Sequence, residues 1–505
     1  SPKWLADGKG FLCISNEGGR FNVVSCDLAT GSRKQLTFFK AGSVVTPALS
    51  GDAKLMVFRV SRSIYRFKPL NGGEPEEIHL FTDEKLPDRY IRKEKVTGTS
   101  SAAFSPDGKS VVFSAGGDLW SMASGAKDPV RLTETDDFDE REVQLSTDGG
   151  TLYFLRDDGL RADVCMAVWS DLGLGEVIRI PCSGKSKRNL RVSPDGARIS
   201  WLEGIGDLVT ASASGTDEAK AVMHCWDMPT YDWSPDGKWL VVGAKDIHSN
   251  RDIWIVPANG SHDAVNLTMH PDYEGSPEWS PDGRKILFLA RRDADGLARL
   301  WMLSVDKLPG EGVPSSSDLD EIRSSLHTVD TAISEPIRLV WSADSKAVLF
   351  QSRDTQDKTV YSQPISGGEA VEYADFRGIP VGMSKNGAMF WRVDRVPCVY
   401  WGRMKEAEFR FGLSVRQDRS KRMRLGFRRI WRTLSERFYD EAMNGKEWTA
   451  ILAGYEDAAA SSMDSRQFDR VVGELLGELN ASHLTFRTTP WGVEAAPDAP
   501  KNPTA

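Results

Sequence analysis

Apolar and polar positions repeat along the chain in a fixed order: an apolar or aromatic residue, a turn of the Ser-Pro-Asp-Gly type, and a short apolar run. Nine copies begin their turns at Leu5, Ser50, Ser105, Ser146, Ser193, Ser234, Ser280, Ser342 and Ser384. Successive copies lie 41 to 62 residues apart. Proline presets the backbone of such a turn, and Asp and Gly tolerate the conformations that follow. A period of about 40 to 50 residues is typical of four-stranded β-propeller blades.

The residues after each turn predict further strands joined by hairpins. Ser105 is followed by the apolar run 111–113, a Gly-Gly turn at 116–117, and the strand-like stretches 118–122 and 130–133. The sequence therefore predicts a mainly β fold. Propellers close at about four to eight blades, so nine modules indicate two propellers, one of which is incomplete.

Two stretches interrupt the repeat. Thr82 to Ser101 is polar and charged, and we expect the boundary between the two propellers there. Leu308 to Ser334 is rich in Gly, Pro, Ser and acidic residues, which is typical of a loop or short helix inserted into one blade.

After Trp401 the apolar period changes from two to 3.6 residues, which predicts a small helical domain. Three apolar stripes mark its helices: Phe427, Ile430, Trp431, Leu434 and Phe438; Trp448, Ile451, Leu452 and Tyr455; and Phe468, Val471, Val472, Leu475, Leu476 and Leu479. Asp464 is a plausible N-cap of the third helix, and Asn480 ends it. Ser482 and His483 follow at once and lead into the strand-like stretch 484–488. We interpret the basic cluster Arg416 to Arg432 as a solvated helix face.

His483 is a candidate catalytic residue, but its chemistry alone leaves two interpretations open. A histidine just beyond a helix C-terminus is favoured by the helix dipole and needs no further role. Ser482 cannot serve as its nucleophile unaided, because neighbouring side chains point apart and a catalytic triad needs three groups that converge in space.

Composition excludes several classes of function. The chain has 505 residues and a net charge of −8, with Lys and Arg dispersed, so we expect no nucleic-acid partner. No apolar run approaches the length of a membrane span.

Six scattered cysteines without a C-x-x-C pair favour free buried thiols in a reducing compartment. The six histidines of the repeats lack metal-ligand spacing, and no H-E-x-x-H, complete Walker or G-x-S-x-G motif occurs, so we expect no metal and no cofactor.

The helical region resembles the first catalytic subdomain of the tricorn proteases, serine peptidases of the tail-specific-protease clan. The resemblance rests on Phe427–Arg432, Phe438-Tyr439-Asp440, Met443-Asn444-Gly445, Trp448, Tyr455 and Gly473–His483. Members of this family carry a six-bladed propeller, a seven-bladed propeller, this helical subdomain, a PDZ-like domain and a second catalytic subdomain. The order of parts in the chain is similar.

The resemblance implies a division of the chain. Residues 1–85 would be the last two blades of the six-bladed ring, and 86–405 the seven-bladed ring. Residues 420–489 would be the helical first catalytic subdomain, and 490–505 a linker toward the PDZ-like and second catalytic subdomains, which the sequence lacks. The chain also has no initiator Met, and we expect it to be a piece of a longer protein.

The resemblance also implies an activity. His483 would be the general base and Ser482 would help to orient it, whereas the nucleophilic serine would lie outside this chain. We therefore expect the chain to be part of a cytoplasmic peptidase in which the propellers gate peptide substrates and products. The family resemblance also implies a homo-oligomer, a hexamer. The alternative is a non-catalytic TolB-like or WD-like scaffold that binds protein or peptide partners.

Overall fold

The computed structural model describes residues 2–40, 42–60, 63–70, 72–80, 91–170, 173–310, 312–329, 333, 335–353, 359–375, 378–383, 387–482 and 484–488. The chain divides into two compact units, Ser1–Pro87 and Asp88–Ala505. The expected boundary at residues 85 and 86, the ninth turn at Ser384, and the expected linker 490–505 lie outside the described residues.

The first unit contains two antiparallel four-stranded sheets. Their strands are β1 (Lys3–Trp4), β2 (Gly10–Ser15), β3 (Asn22–Asp27) and β4 (Arg33–Gln35), then β5 (Val44–Leu49), β6 (Met56–Val60), β7 (Ser63–Phe67) and β8 (Glu76–Ile78). Leu12 and Val23 of one sheet pack with Phe58 and Phe67 of the other in a common core.

The second unit begins with β9 (Ile91–Val96) and then forms seven antiparallel sheets, which we number as blades 1 to 7. Blade 1 contains β10 (Ser101–Phe104), β11 (Ser110–Ala115), β12 (Asp118–Ala123) and β13 (Val130–Arg131). Blade 2 contains β14 (Asp139–Leu145), β15 (Thr151–Asp157), β16 (Ala162–Ser170), β17 (Gly173–Leu174) and β18 (Ile178–Arg179). Blade 3 contains β19 (Lys187–Val192), β20 (Arg198–Glu203), β21 (Asp207–Ser212) and β22 (Lys220–Met223). Blades 4 and 5 are β23 (Thr230–Trp233), β24 (Trp239–Lys245), β25 (Arg251–Pro257), β26 (Val265–Asn266); and β27 (Glu274–Trp279), β28 (Lys285–Ala290), β29 (Arg299–Ser304), β30 (His327–Thr328). Blades 6 and 7 are β31 (Pro336–Trp341), β32 (Ala347–Ser352), β33 (Thr359–Pro364), β34 (Val371–Asp375); and β35 (Gly378–Met383), β36 (Met389–Val393), β37 (Val396–Trp401), β38 (Met404–Glu408).

The recurring turn has the same hydrogen bonds in several blades, and these explain the motif. In blade 1, Ser105 Oγ donates to Asp107 Oδ1 at 2.6 Å and accepts from the backbone N–H of Ser110 at 2.9 Å. The backbone N–H of Lys109 donates to Asp107 at 3.1 Å. Gly108 has φ +70°, a conformation that glycine adopts without a steric cost. The serine and aspartate of the motif therefore hold the hairpin that starts each blade.

A second recurring device joins neighbouring blades. Thr133, after the last strand of blade 1, accepts the backbone N–H of Leu119 at 2.9 Å and donates to Glu140 of blade 2. Arg156 of blade 2 pairs with the other oxygen of Glu140 at 2.7 Å. These acidic and threonine side chains of the repeat are thus occupied in holding the ring together.

The ring closes where blade 1 meets blade 7, and we call this contact the closure seam. Phe104 stacks on Phe390 with ring centroids 4.7 Å apart, and Phe113 stacks on Phe411 at 4.4 Å. Beside the seam, β9 pairs in antiparallel register with β39 (Leu413–Asp418), so the segments that precede and follow the ring are joined to each other. Aromatic packing and this two-stranded clasp together close the ring.

The helices are α1 (Ser316–Ser324), α2 (Arg419–Arg437), α3 (Trp448–Ala460) and α4 (Ser465–Glu478), with one 3₁₀ turn at Met443–Gly445. The expected mainly β propeller followed by a small helical domain is confirmed. Helix α1 lies in the stretch predicted to be inserted into a blade. Residues 484–488 do not form the predicted strand, because Leu484 and Phe486 pack against the helical core instead of pairing with a neighbouring strand.

The solvated basic face predicted for Arg416 to Arg432 is wrong for part of α2. Arg432 is buried, and Arg429 is only 30% exposed at its side chain. Both arginines face the propeller, where aspartates of blade 2 bind them. The sequence pattern indicated a basic helix face, but it could not show that a second charged surface covers part of it.

Candidate functional site

Helices α2, α3 and α4 pack around one apolar core that follows the predicted stripes. Phe427, Trp448, Leu452, Phe468, Val472, Leu475 and Leu479 are among its buried members. Trp431 and Trp448 stack with centroids 6.0 Å apart, and each indole N–H donates to the backbone carbonyl of the other tryptophan. Tyr455 of α3 donates to Glu478 of α4 at 2.7 Å inside this core.

Helix α4 begins and ends near the residues that the sequence indicated. Asp464 accepts the backbone N–H of Gln467 at 2.8 Å, which confirms it as the N-cap. Leu479 is fully buried, and Asn480 follows with a left-handed φ of +50° that turns the chain away from the helix axis. Ser482 lies exposed in the turn beyond it. His483 lies outside the described residues, so its predicted role stays a prediction.

Helix α2 is anchored to blade 2 through a group that we call the arginine joint: Asp157, Arg141, Arg429 and Arg432. The Asp157 side chain is fully buried at the end of β15. Its two oxygens accept from Arg432 at 3.0 and 2.9 Å, and Arg429 and Arg141 contact it at 3.1 and 3.2 Å. One carboxylate therefore binds two arginines that lie about one turn apart on α2.

Burial and charge act in opposite directions on Asp157. Burial alone would raise its pKa, because the ionised carboxylate loses its water. Hydrogen bonds from Arg432 and the charges of Arg429, Arg432 and Arg141 outweigh that effect, and the pKa of Asp157 is lowered. The carboxylate is therefore ionised at neutral pH and keeps its three cationic partners.

Three further contacts extend the joint along α2. Asp139 accepts from Arg429 at 2.7 Å. Glu436 accepts the backbone N–H of Ser186 at 2.7 Å. Gly159, with φ +90°, lies so close to the helix that an added Cβ would stand 2.6 Å from the carbonyl oxygen of Leu425. Charge pairing and this close backbone approach fix the helical subdomain on blades 2 and 3.

Residue patterns alone did not reveal this joint. A signal exists in retrospect: Arg422, Arg429, Arg432 and Glu436 recur at spacings of seven, three and four residues, which places them on one helix face. The sequence around the acidic partner Asp157 indicates only a hairpin, because Gly159 follows two residues later.

No group of three or more His, Cys, Asp or Glu side chains in the described ranges could hold a metal ion. The six other histidines belong to the repeat region, where His224 pairs with Asp207 and His270 with Asp272. Within the part of the chain that the structure describes, no helix combines the length and apolar character needed to cross a membrane.

Comparisons with known proteins agree with this arrangement. Residues 423–477, from α2 to near the end of α4, match the family described as Tricorn protease C1 domain. A tricorn protease homolog from Saccharolobus solfataricus is 21% identical over 93% of the chain and 46% of its own length. A protein from Sulfurisphaera tokodaii that is named as a tricorn-like protease C-terminal subunit is 25% identical over 49% of the chain and 28% of its own length.

A solved structure shows the same fold. The crystal structure of the tricorn protease superposes with a TM-score of 0.70 over 96% of the chain and 50% of that protein, at 13% identity. The chain spans about half or less of the length of each of these proteins. The helical segment thus matches the tricorn C1 domain, the chain is similar in sequence to tricorn protease homologs, and its fold is that of the tricorn protease.

Proposed function

We propose that the chain is part of a serine peptidase that degrades peptides. In this proposal His483 is the general base, Ser482 helps to orient it, and the nucleophilic serine lies outside residues 1–505. The base would take the proton of the serine hydroxyl as that oxygen attacks the peptide carbonyl, and would return a proton to the leaving amine.

The match of residues 423–477 to the tricorn C1 domain carries this proposal. The matched segment ends five residues before Ser482. That serine is exposed at the end of the buried helix α4, where a second protein surface can reach it. The folded helical core and the arginine joint support a fixed position for this turn on the propeller.

We further propose that the propeller admits peptides through its axis. Arg191 and Asp232 occupy equivalent positions on the innermost strands of blades 3 and 4 and form an ion pair of 2.8 Å. Their side chains stay 40% and 20% exposed although they lie at the centre of the ring. Solvent access at this place supports an axial passage lined by polar groups.

A homo-oligomer and a cytoplasmic location complete the proposal. All six cysteines are free, which is compatible with a reducing compartment. No observation favours the alternative of a non-catalytic scaffold, because its binding faces would not call for the helical subdomain that ends at Ser482.

Labelling with a fluorophosphonate tests the proposal on the complete protein. Such a reagent phosphonylates an activated serine Oγ with loss of fluoride. We expect one labelled serine outside residues 1–505, and loss of labelling in His483→Ala. His327→Ala, which changes a histidine at the edge of blade 5, is the control and should label normally. Labelling that persists in His483→Ala, or none in the unmodified protein, would contradict the assignment.

A further inference from the structure

The sequence motif Phe438-Tyr439-Asp440 and Met443-Asn444-Gly445 forms a tight loop between α2 and α3. Asp440 accepts the backbone N–H groups of Ala442 at 3.0 Å and Asn444 at 2.7 Å. Met443 and Asn444 both adopt left-handed backbone angles, with φ of +52° and +54°. Met443 is buried in the helical core, so its side chain anchors the loop to that core.

This conformation aims the Asn444 side chain at the end of α4. Its amide Nδ2 donates to the backbone carbonyl of Leu479 at 2.6 Å, across 35 positions of sequence. The hydroxyl of Tyr439 donates to Asn444 Oδ1 at 3.0 Å and thereby fixes which end of the amide faces Leu479. Leu479 lies three residues before Ser482 and needs such a donor, because the last carbonyls of a helix lack partners within it.

The chain is also held on the far side of Ser482. Leu484 and Phe486 pack against the helical core, and the backbone N–H of Thr488 donates to Asp469 of α4 at 3.0 Å. The chain is therefore held at Leu479 by the Asn444 amide, and again from Leu484 onward by apolar packing.

We propose that Asn444 is a positioning residue for the turn at Ser482, and that Tyr439 orients its amide. The effect on kcat that we expect from this role rests on the proposed function. Asparagine suits the position for two reasons: it tolerates the left-handed conformation, and it carries an N–H donor. Glycine would satisfy only the first requirement.

That difference gives the test. In the complete protein, Asn444→Gly should keep the backbone of the loop but lose the bond to Leu479. We expect kcat for a fluorogenic peptide to fall about 10- to 100-fold with KM nearly unchanged, because small displacements of a catalytic group cost rate rather than binding. Tyr439→Phe should cost about threefold to tenfold, because it removes only the hydrogen bond that orients the amide.

Asn480→Gly is the matched control. Asn480 is also left-handed and adjacent to Leu479, and its side chain has no hydrogen-bond partner among the described residues. The same substitution there should leave kcat near the unmodified value. Equal losses in Asn444→Gly and Asn480→Gly, or none in Asn444→Gly, would overturn the inference. Thermal unfolding identifies a variant that merely fails to fold, in which case Tyr439→Phe decides.

A second readout separates this inference from the proposed function. In chain 1–505, hydrogen exchange measured by NMR follows the backbone amide of Leu479, which closes the last turn of α4 by donating to the carbonyl of Leu476 at 3.2 Å. After correction for intrinsic rates, we expect Asn444→Gly to speed this exchange about tenfold and Asn480→Gly to change it less. If His483→Ala retains full turnover while this faster exchange appears, the proposed function fails and the positioning role stands. Unchanged exchange in Asn444→Gly refutes the positioning role.

Discussion

Two junctions of the second unit are built from opposite chemistry. The closure seam between blades 1 and 7 is aromatic, with Phe104 on Phe390 and Phe113 on Phe411. The arginine joint between blade 2 and α2 is ionic, with the fully buried Asp157 at its centre. Stacked aromatic rings contribute through buried area and carry no charge, whereas a buried carboxylate depends on its cationic partners. The two junctions should therefore differ in their response to loss of a partner and to pH.

The largest effect on this comparison should come from Asp157→Ala. The substitution leaves Arg432 and Arg429 without their buried partner, and breaking such a pair costs about 3 to 5 kcal/mol. Urea denaturation followed by tryptophan fluorescence should show the helical subdomain unfolding early. Asp217→Ala, at an exposed residue of blade 3, is the control and should change stability by less than about 0.5 kcal/mol. A midpoint unchanged by Asp157→Ala would mean that the joint does not hold the subdomain.

Acid should change the stability of blade 2 and the stability of the arginine joint in opposite directions. The pKa values of Glu140 and Glu142 in the propeller are raised by burial, so the cost of their charge is present at neutral pH and vanishes as pH falls through their folded pKa values. The lowered pKa of Asp157 means that its contribution is complete above about pH 4 and is lost below it.

Hydrogen exchange of peptides from α2 and from blade 2 would measure this difference. Between pH 7 and about 4, after correction for the intrinsic exchange rate, we expect protection in blade 2 to hold or increase while α2 is unchanged. Below about pH 4, α2 should lose protection first. Simultaneous loss in both elements would contradict the opposite effects of pH on Asp157 and on the two glutamates.

At the closure seam, Phe113→Leu should have a smaller effect. The leucine keeps most of the buried apolar area but loses the stacked contact with Phe411, which costs about 1 to 2 kcal/mol. The loss should be the same at pH 4 and pH 7, because no charge is involved. A loss that depends strongly on pH would show that the seam contains an ionic component.

The smallest effect should come from Glu436→Gln at the rim of the joint. Glutamine keeps an oxygen that can accept from the Ser186 backbone N–H but has no charge, so we expect a loss of about 1 kcal/mol. Equilibrium unfolding measures it. A loss as large as that of Asp157→Ala would place the centre of the joint at Glu436.

Local sequence patterns predicted the blades and helices well because each has its own period. The Ser105 turn, the Asp464 cap and the insertion that holds α1 all depend on residues close together in sequence. The pairing of β9 with β39 was not predicted, because both strands are short and charged and their paired residues are 317 to 327 positions apart. Asp157 was missed for a similar reason: its partners on α2 are 272 and 275 positions away. The Asn444 bond to Leu479 also required the folded loop, although the motif that contains it was visible.

The proposed role of His483 as the general base of a peptidase is tested by steady-state kinetics of the complete protein. His483→Ala should lower kcat by about 10⁴- to 10⁶-fold, as loss of the base in a serine triad does. Ser482→Ala should cost less, since an orienting group does not carry the proton. Both variants should unfold within about 1 kcal/mol of the unmodified protein, because a helix-terminal polar residue contributes little to stability. Near-normal turnover in His483→Ala would contradict the claim.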